Sequence, residues 1–253
     1  MIVPRLRAPT VLVHGLLGFD RLSLWGLTLV SYFSRIPEFL TAAGNRVLVA
    51  QLSPTGGIKQ RAAELQAFLQ RESPQEPVHL IAHSMGGLDA RYMISGLGME
   101  QRVLTLTTVG TPHRGTPFAD WGLERFERLL KPVLERCNIP YEAIHDLTVG
   151  ACRQFNQSIV DASGVRYFSV AGRHEQNWSL PHWQLSQPLV TRAEGPNDGI
   201  VSIASATYGE TCDIWDGDHL SLINWFYPIG ASPGSDRAAH YAGLIRRLAD
   251  LGF

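Results

Sequence analysis

The chain has 253 residues, 45% of them apolar and 18% charged, which suits one large globular domain with enough material for a sizeable core. Its net charge of −1 and the lack of any long Lys/Arg run exclude the electrostatic footprint of a nucleic-acid binder or of a protein drawn to an anionic membrane. No stretch approaches the ~20 apolar residues of a membrane span, so no stable membrane insertion is expected.

Residues 1–9 are basic in flavour but lack the apolar core and small-residue cleavage site of a secretory signal. As written the chain reads as cytoplasmic; a secreted chain already stripped of its leader would read the same. Six short apolar, β-branched runs then punctuate the sequence at residues 10–14, 46–51, 78–82, 103–109, 165–171 and 211–215. Runs of this length, apolar on both faces, suit buried strands of a parallel sheet. Helical spacing fills most of the intervals: Ala62, Leu65, Phe68 and Leu69 before the third run, Leu88, Tyr92 and Leu97 after it, and Ala242, Ile245, Leu248 and Ala249 near the end. Strands alternating with helices predict a mostly parallel, doubly wound sheet whose site lies outside the carboxyl ends of the strands.

One interval breaks that alternation, with about 55 residues between the fourth run and the fifth. Leu123, Phe126, Leu130, Val133 and Leu134 repeat there at helical spacing, and Pro132 is placed to bend or divide the helix. Insertions of this size are often caps over a site, so a lid is expected at about 117–160 within a single domain spanning 1–253. An enlarged crossover helix is the plainer alternative. Cys137, Cys152 and Cys212 leave at least one thiol unpaired and match no metal-binding spacing. Free thiols are expected, with a Cys137–Cys152 bridge left open.

The segment Ala82-His83-Ser84-Met85-Gly86 ends the third run, and a helical pattern begins at once. This is the G-x-S-x-G pattern with Ala in place of the first Gly. A serine on so tight a strand-to-helix turn sits in a strained backbone conformation, and residues two positions away must be small. Earlier in the chain, His14-Gly15-Leu16-Leu17-Gly18 follows the first run. Acyl transfer needs two backbone N–H groups aimed at the oxygen of the tetrahedral intermediate. By position these would be Leu16 and Met85, whose side chains are then free to line an acyl pocket.

A serine hydroxyl is a weak nucleophile until a base takes its proton. Nine histidines compete for that role. His14 and His83 belong to the two loops and are expected to hold them; His79 lies inside a run. His113 follows the fourth run and could shape the site, but precedes every acid candidate. His145, His174, His182 and His240 are expected to lack a strand-end setting. In α/β-hydrolases the base comes last, after the final strand, in the order Ser…Asp…His. His219, in Asp216-Gly217-Asp218-His219-Leu220, fits. Asp198, in the turn Asn197-Asp198-Gly199, is the preferred acid, while Asp213, Asp216 and Asp218 are expected to serve turns and solvation.

Taken in order, His14-Gly15-Leu16-Leu17-Gly18-Phe19-Asp20, His83 through Arg91, Thr111-Pro112-His113-Arg114-Gly115-Thr116, Asn197-Asp198-Gly199 and Asp218-His219-Leu220 resemble the bacterial true lipases of the Pseudomonas/Burkholderia type. The resemblance implies an α/β-hydrolase fold with a helical lid over an apolar cleft, and hydrolysis of a small-molecule or lipid ester by Ser84, His219 and Asp198. It also implies a calcium ion near the histidine, held partly by an Asp two residues after it and a Gln six after it. Here those positions are Ser221 and Trp225, so the calcium site is expected to be absent and no cofactor is expected. Cys212 likewise fits the family's disulfide poorly. Trp225-Phe226-Tyr227, Trp178 and Trp183 are placed either to wall the cleft or to fill the core. An acyltransferase using the same triad, or a silent α/β-hydrolase kept for binding, are the alternatives.

Overall fold

The computed structural model describes residues 3–16, 21–24, 27–129, 142–175, 183–225 and 237–253. Its main sheet has six strands: β1 (Thr10–Val13), β4 (Val47–Ala50), β5 (Val78–His83), β6 (Val103–Val109), β7 (Arg166–Arg173) and β8 (Thr211–Asp216). Their order is β4-β1-β5-β6-β7-β8, and every neighbouring pair is parallel. The six apolar runs are therefore these six strands. A separate antiparallel pair, β2 (Arg21–Leu24) and β3 (Leu27–Ser31), follows β1 and has no counterpart in the sequence reading.

Successive side chains of a strand point to opposite faces, so a run that is apolar throughout feeds two layers. Val11, Val13, Leu80 and Ala82 pack on one side with Ala62, Leu65, Phe68 and Leu69 of α2 (Ile58–Glu72). Leu12 and Ile81 pack on the other with Tyr241, Leu244, Ile245 and Leu248 of α9 (Ala238–Asp250) and with Ile36 and Leu40 of α1 (Ile36–Ala42). Both faces being covered, the strands have to be apolar without alternation.

After β5 the chain enters α3 (Gly86–Arg91), which widens into a π-helical turn at Tyr92–Gly96 before Leu97. The long interval after β6 holds α4 (Pro117–Leu129), α5 (Glu142–Asp146) and α6 (Val149–Ser158). Leu130, Pro132, Val133, Leu134 and Cys137 lie outside the described residues, as do Trp178, His182, Phe226 and Tyr227. Ala119, Ala143, Leu147 and Cys152 of this interval form an apolar cluster with Met85, Leu88 and Ile58. Cys152 and Cys212 are free thiols. Strand β7 runs two residues beyond its predicted end, which corrects one expectation: His174 directly follows a strand. Its backbone N–H bonds to the Asn197 carbonyl at 2.8 Å, so it tethers the Asn197-Asp198-Gly199 turn through the main chain. Helices α7 (Ser186–Glu194) and α8 (Ile203–Ala206) flank that turn.

Candidate active site

Ser84 stands one residue past β5 with φ of 56°, a left-handed conformation that a residue with a side chain adopts only when its surroundings enforce it. Three contacts do so. Its N–H donates to the Val109 carbonyl at 2.9 Å, its carbonyl accepts from Thr111 Oγ1 at 2.8 Å, and Gly87 N–H donates to that same carbonyl at 3.1 Å. The small residues have their expected cause. A Cβ on Gly86 would come within 2.7 Å of the His14 carbonyl oxygen, so only glycine lets α3 begin this close to β1. Met85 is the N-cap of α3, and N–H groups at a helix start have no acceptor within the helix.

The loop after β1 is pinned peptide by peptide. In the 14–15 peptide, the His14 carbonyl accepts from an Arg61 guanidinium nitrogen at 2.7 Å, and Gly15 N–H donates to the Tyr32 hydroxyl at 2.9 Å. In the 15–16 peptide, the Gly15 carbonyl lies 2.9 Å from His14 Nδ1. Because His14 Nε2 accepts from Leu52 N–H at 3.0 Å, Nδ1 carries the ring proton and donates to Gly15. A trans peptide points its N–H opposite to its C=O, so fixing the Gly15 carbonyl on His14 also fixes the direction of Leu16 N–H. Gly15 abuts the serine: a Cβ there would stand 2.6 Å from Ser84 Cβ and 3.1 Å from its Oγ. The side chains of Leu16, half-buried, and Met85, fully buried, join the apolar cluster shared with α4, α5 and α6.

Asp198 is fully buried, and its carboxylate is used completely. Oδ1 accepts from Ile200 N–H at 3.1 Å and Val201 N–H at 2.8 Å, while Oδ2 lies 2.7 Å from His219 Nδ1. An acceptor-only carboxylate requires the proton on Nδ1, which leaves Nε2 as the basic nitrogen. His219 N–H also donates to the Asp198 carbonyl at 2.7 Å, so main chain and side chain are matched. Glycines make the room. At Gly110, with φ of 58°, a Cβ would lie 3.1 Å from Asp198 Oδ2 and 3.2 Å from His219 Nδ1. At Gly172 a Cβ would lie 2.6 Å from Asp198 Cβ.

His83 joins the two halves. Its Nε2 donates to the His219 carbonyl at 3.0 Å, and the two rings lie 4.5 Å apart. Its Nδ1 must then accept, and the Tyr32 hydroxyl donates to it at 2.7 Å. One directed chain therefore runs from Gly15 N–H through Tyr32 and His83 to the backbone of His219. Burial, with help from neighbouring His219 and His14, holds His83 well below the usual histidine range, so it stays neutral.

His79 and His113 are structural. His79, inside β5, bonds Thr105 and is pushed down to about 4 by burial. His113 is buried between Thr108 and Arg91 and stacks on Tyr208, and burial drives it well below its ordinary value. Asp213 pairs with Arg247, Asp216 with Arg173, and Asp218 caps the N–H groups of Leu220 and Ser221, as turn and surface residues do. Trp183 packs against Gly199 and is buried; Trp225 packs against the Tyr32 side of the core.

Sequence reasoning passed over Tyr32, Arg61, Asp89 and Arg237. Arg61 and Asp89 form a fully buried ion pair at 2.8 Å, and burial pushes the Asp89 carboxyl up to about 7. A signal for Arg61 existed: it falls on the apolar stripe of α2, where a charge needs a partner.

A parallel sheet whose third strand in chain order, β5, delivers a left-handed serine, with a carboxylate–imidazole pair arriving on the loops of the last two strands, is an α/β-hydrolase. The mature Bacillus licheniformis lipase has the same fold, with a TM-score of 0.74 at 21% identity over 94% of this chain and 91% of that one. The chain belongs to the PGAP1-like alpha/beta domain family, whose model matches residues 38–211. Among curated proteins it is 38% identical to a triacylglycerol lipase of Burkholderia plantarii over 96% of this chain and 86% of that one. It is 30% identical to triacylglycerol lipase 2 of Saccharomyces cerevisiae over 86% of this chain and 80% of the other.

Proposed function

We propose that Ser84, His219 and Asp198 are the catalytic triad of a lipid-ester hydrolase, with the amides of Leu16 and Met85 as its oxyanion hole. The protein is a carboxylic ester hydrolase. Ser84 Oγ attacks the ester carbonyl while His219 Nε2 takes its proton, and the imidazolium that forms is stabilised by Asp198. The proton then passes to the departing alkoxide oxygen as the C–O bond breaks, leaving an acyl-enzyme. Water attacks that acyl group with His219 again as base, which returns Ser84 and releases the acid. Each addition places negative charge on the carbonyl oxygen, where two backbone donors are worth on the order of 3 kcal/mol apiece. None of these steps requires a cofactor.

The observation that carries this reading is the 2.7 Å bond between Asp198 and His219 Nδ1, which leaves the opposite imidazole nitrogen basic, on a ring packed against the residue before the serine. The apolar cluster of Leu16, Met85, Leu88 and Ala119 supports an apolar acyl chain, and the matched triacylglycerol lipases support a lipid ester over other esters. The motif order supports placement with the Pseudomonas/Burkholderia-type lipases, and the interval at about 117–160 is read as the lid. Hydrolysis of p-nitrophenyl esters of graded chain length tests the reading. Turnover rising with acyl length, and abolished in Ser84→Ala, is expected. Background rates at every length would refute it.

A further inference from the structure

The loop that presents His219 closes around a buried positive charge. Arg237 stands at the entrance to α9, only 6% exposed, with its guanidinium turned into the 216–221 loop. It donates to the Asp216 carbonyl, to the Ser221 carbonyl at 3.2 Å and to Ser221 Oγ at 3.4 Å. Its backbone N–H meets Asn224 Oδ1 at 3.1 Å, and Asn224 Nδ2 in turn holds the Ser34 carbonyl at 2.9 Å. Among the described residues no carboxylate lies within ion-pair distance of Arg237. Asp218 and Asp216 lie near enough to favour its charge without touching it, so the hydrogen bonds of this buried guanidinium fall to dipoles, and here the dipoles are those of one loop. Gly217 reports the same design. It adopts φ of 147°, and a Cβ there would overlap the guanidinium and Ser221 Oγ.

Carbonyl and hydroxyl oxygens converging on one positive centre make the ligand set that a hard cation would otherwise take. The resemblance to calcium-binding lipases asks for an oxygen donor at 221 and another at 225, and the residues present do not fit. Ser221 offers a neutral hydroxyl where the resemblance asks for a carboxylate, and its oxygen already faces an Arg237 nitrogen at 3.4 Å; the indole of Trp225 offers no oxygen, and a dication at this loop would meet the Arg237 guanidinium at close range.

We propose that Arg237 is a positioning residue, a covalently attached cation that holds the His219 loop in shape, and that the loop therefore takes no calcium. The inference rests on His219 being the catalytic base. Removing the side chain frees the Asp216 and Ser221 carbonyls and lets the loop shift; a misplacement near 1 Å costs on the order of a hundredfold in rate.

The test has two arms. In the unmutated protein, kcat and the downfield ¹H resonance of His219 Nδ1 are measured after chelation and after adding calcium; neither is expected to change. Loss on chelation with recovery in calcium would overturn the proposal, whatever the variants do. In the second arm, Arg237→Ala is expected to lose about a hundredfold in kcat at nearly constant KM and to lose the Nδ1 resonance. Millimolar guanidinium chloride, but not sodium chloride at equal strength, should restore both. Arg237→Lys, which keeps the charge without the planar fork, should recover only part. A folded Arg237→Ala with undiminished kcat, or one that only melts earlier, would also overturn it. Should the alanine variant fail to fold, the chelation arm and the lysine variant still decide. Because the resonance is read without substrate, an inactive wild type would refute the hydrolase reading while the loop experiment stood.

Discussion

Tyr32→Phe deletes one oxygen atom and two buried hydrogen bonds, those from Gly15 N–H at 2.9 Å and to His83 Nδ1 at 2.7 Å. The ring that remains still packs against Phe33 and His83, so the substitution opens almost no cavity. Its cost is that of leaving a buried donor and a buried acceptor unpaired, about 1–3 kcal/mol for each. A loss of about 2–6 kcal/mol in unfolding free energy follows, large against the usual 5–15 kcal/mol of a domain. The kinetic effect has a different origin. With Gly15 N–H released, the 14–15 peptide is held only by Arg61, and the aim of the neighbouring Leu16 amide loosens. Complete loss of one oxyanion donor costs on the order of 3 kcal/mol, so kcat should fall by up to about a hundredfold. KM should barely move, because the ground-state ester makes little use of those donors. Urea unfolding followed by circular dichroism, alongside kcat and KM on a p-nitrophenyl ester, measures both quantities. A variant within about 0.5 kcal/mol of wild type with unchanged kcat, or a loss confined to KM, would refute the relay.

Gly15→Ala places a Cβ 2.6 Å from Ser84 Cβ and 2.9 Å from the Tyr32 hydroxyl, so either the serine or the loop must yield; active-site titration should show folded protein with kcat reduced about a hundredfold. Asp198→Asn keeps an oxygen for the Val201 and Ile200 amides but removes the charge that fixes the His219 tautomer, and kcat should fall by about 10⁴ while the melting temperature changes little. Stability should decline as pH drops below the ordinary histidine range. His79, His83, His113 and His240 are depressed in the folded protein, so the unfolded chain takes up protons there that the folded one refuses, while the raised Asp89 works in the opposite direction. The depressed histidines outnumber the one raised carboxyl, so urea midpoints should fall as the pH drops from about 6 toward 4.5; a flat profile would contradict it.

The sheet was legible because its signal is local. A strand buried on both faces must be apolar residue by residue, and six such runs can be read without knowing what they pair with. The serine turn was legible because close approach restricts composition: beside the left-handed Ser84, a Cβ at Gly86 would meet the His14 carbonyl and one at Gly87 the Thr111 side chain. Asp198 and His219 could be proposed from their order in the chain, although their 21-residue separation says nothing of the 2.7 Å contact. The β2–β3 pair escaped notice although Leu22, Leu24, Leu27 and Leu29 alternate with polar residues on either side of Trp25-Gly26, because so short and half-polar an alternation is a weaker signal than a run apolar throughout. The end of β7 was misjudged by two residues, since Gly172 and Arg173 look like a turn but pair with Trp215 and Asp216. Tyr32 gave no signal, because one tyrosine among seven acquires its role only when Gly15 and His83 are brought to it.

The two arginines that sequence reasoning missed share a task, and it explains why they were hard to see. Loops at the carboxyl edge of a sheet have left the ladder, so their buried carbonyls have no strand to pair with and need donors from elsewhere. Arginine supplies them repeatedly here. Arg61 serves the carbonyls of His14 and Ser53, and Arg237 those of Asp216 and Ser221. Guanidinium suits the task because it spreads five donors in a rigid plane and does not lose its proton on burial. Arg61 shows how little freedom remains. Its Nε is on Asp89 at 2.8 Å, one terminal nitrogen on Ser53 at 2.6 Å and the other on His14 at 2.7 Å, so the three nitrogens have three different partners. A lysine carries its charge on a single nitrogen and cannot span that triangle, leaving a buried carbonyl unpaired beside Ser84. The loop after β1 is therefore held by geometry that charge alone does not replace.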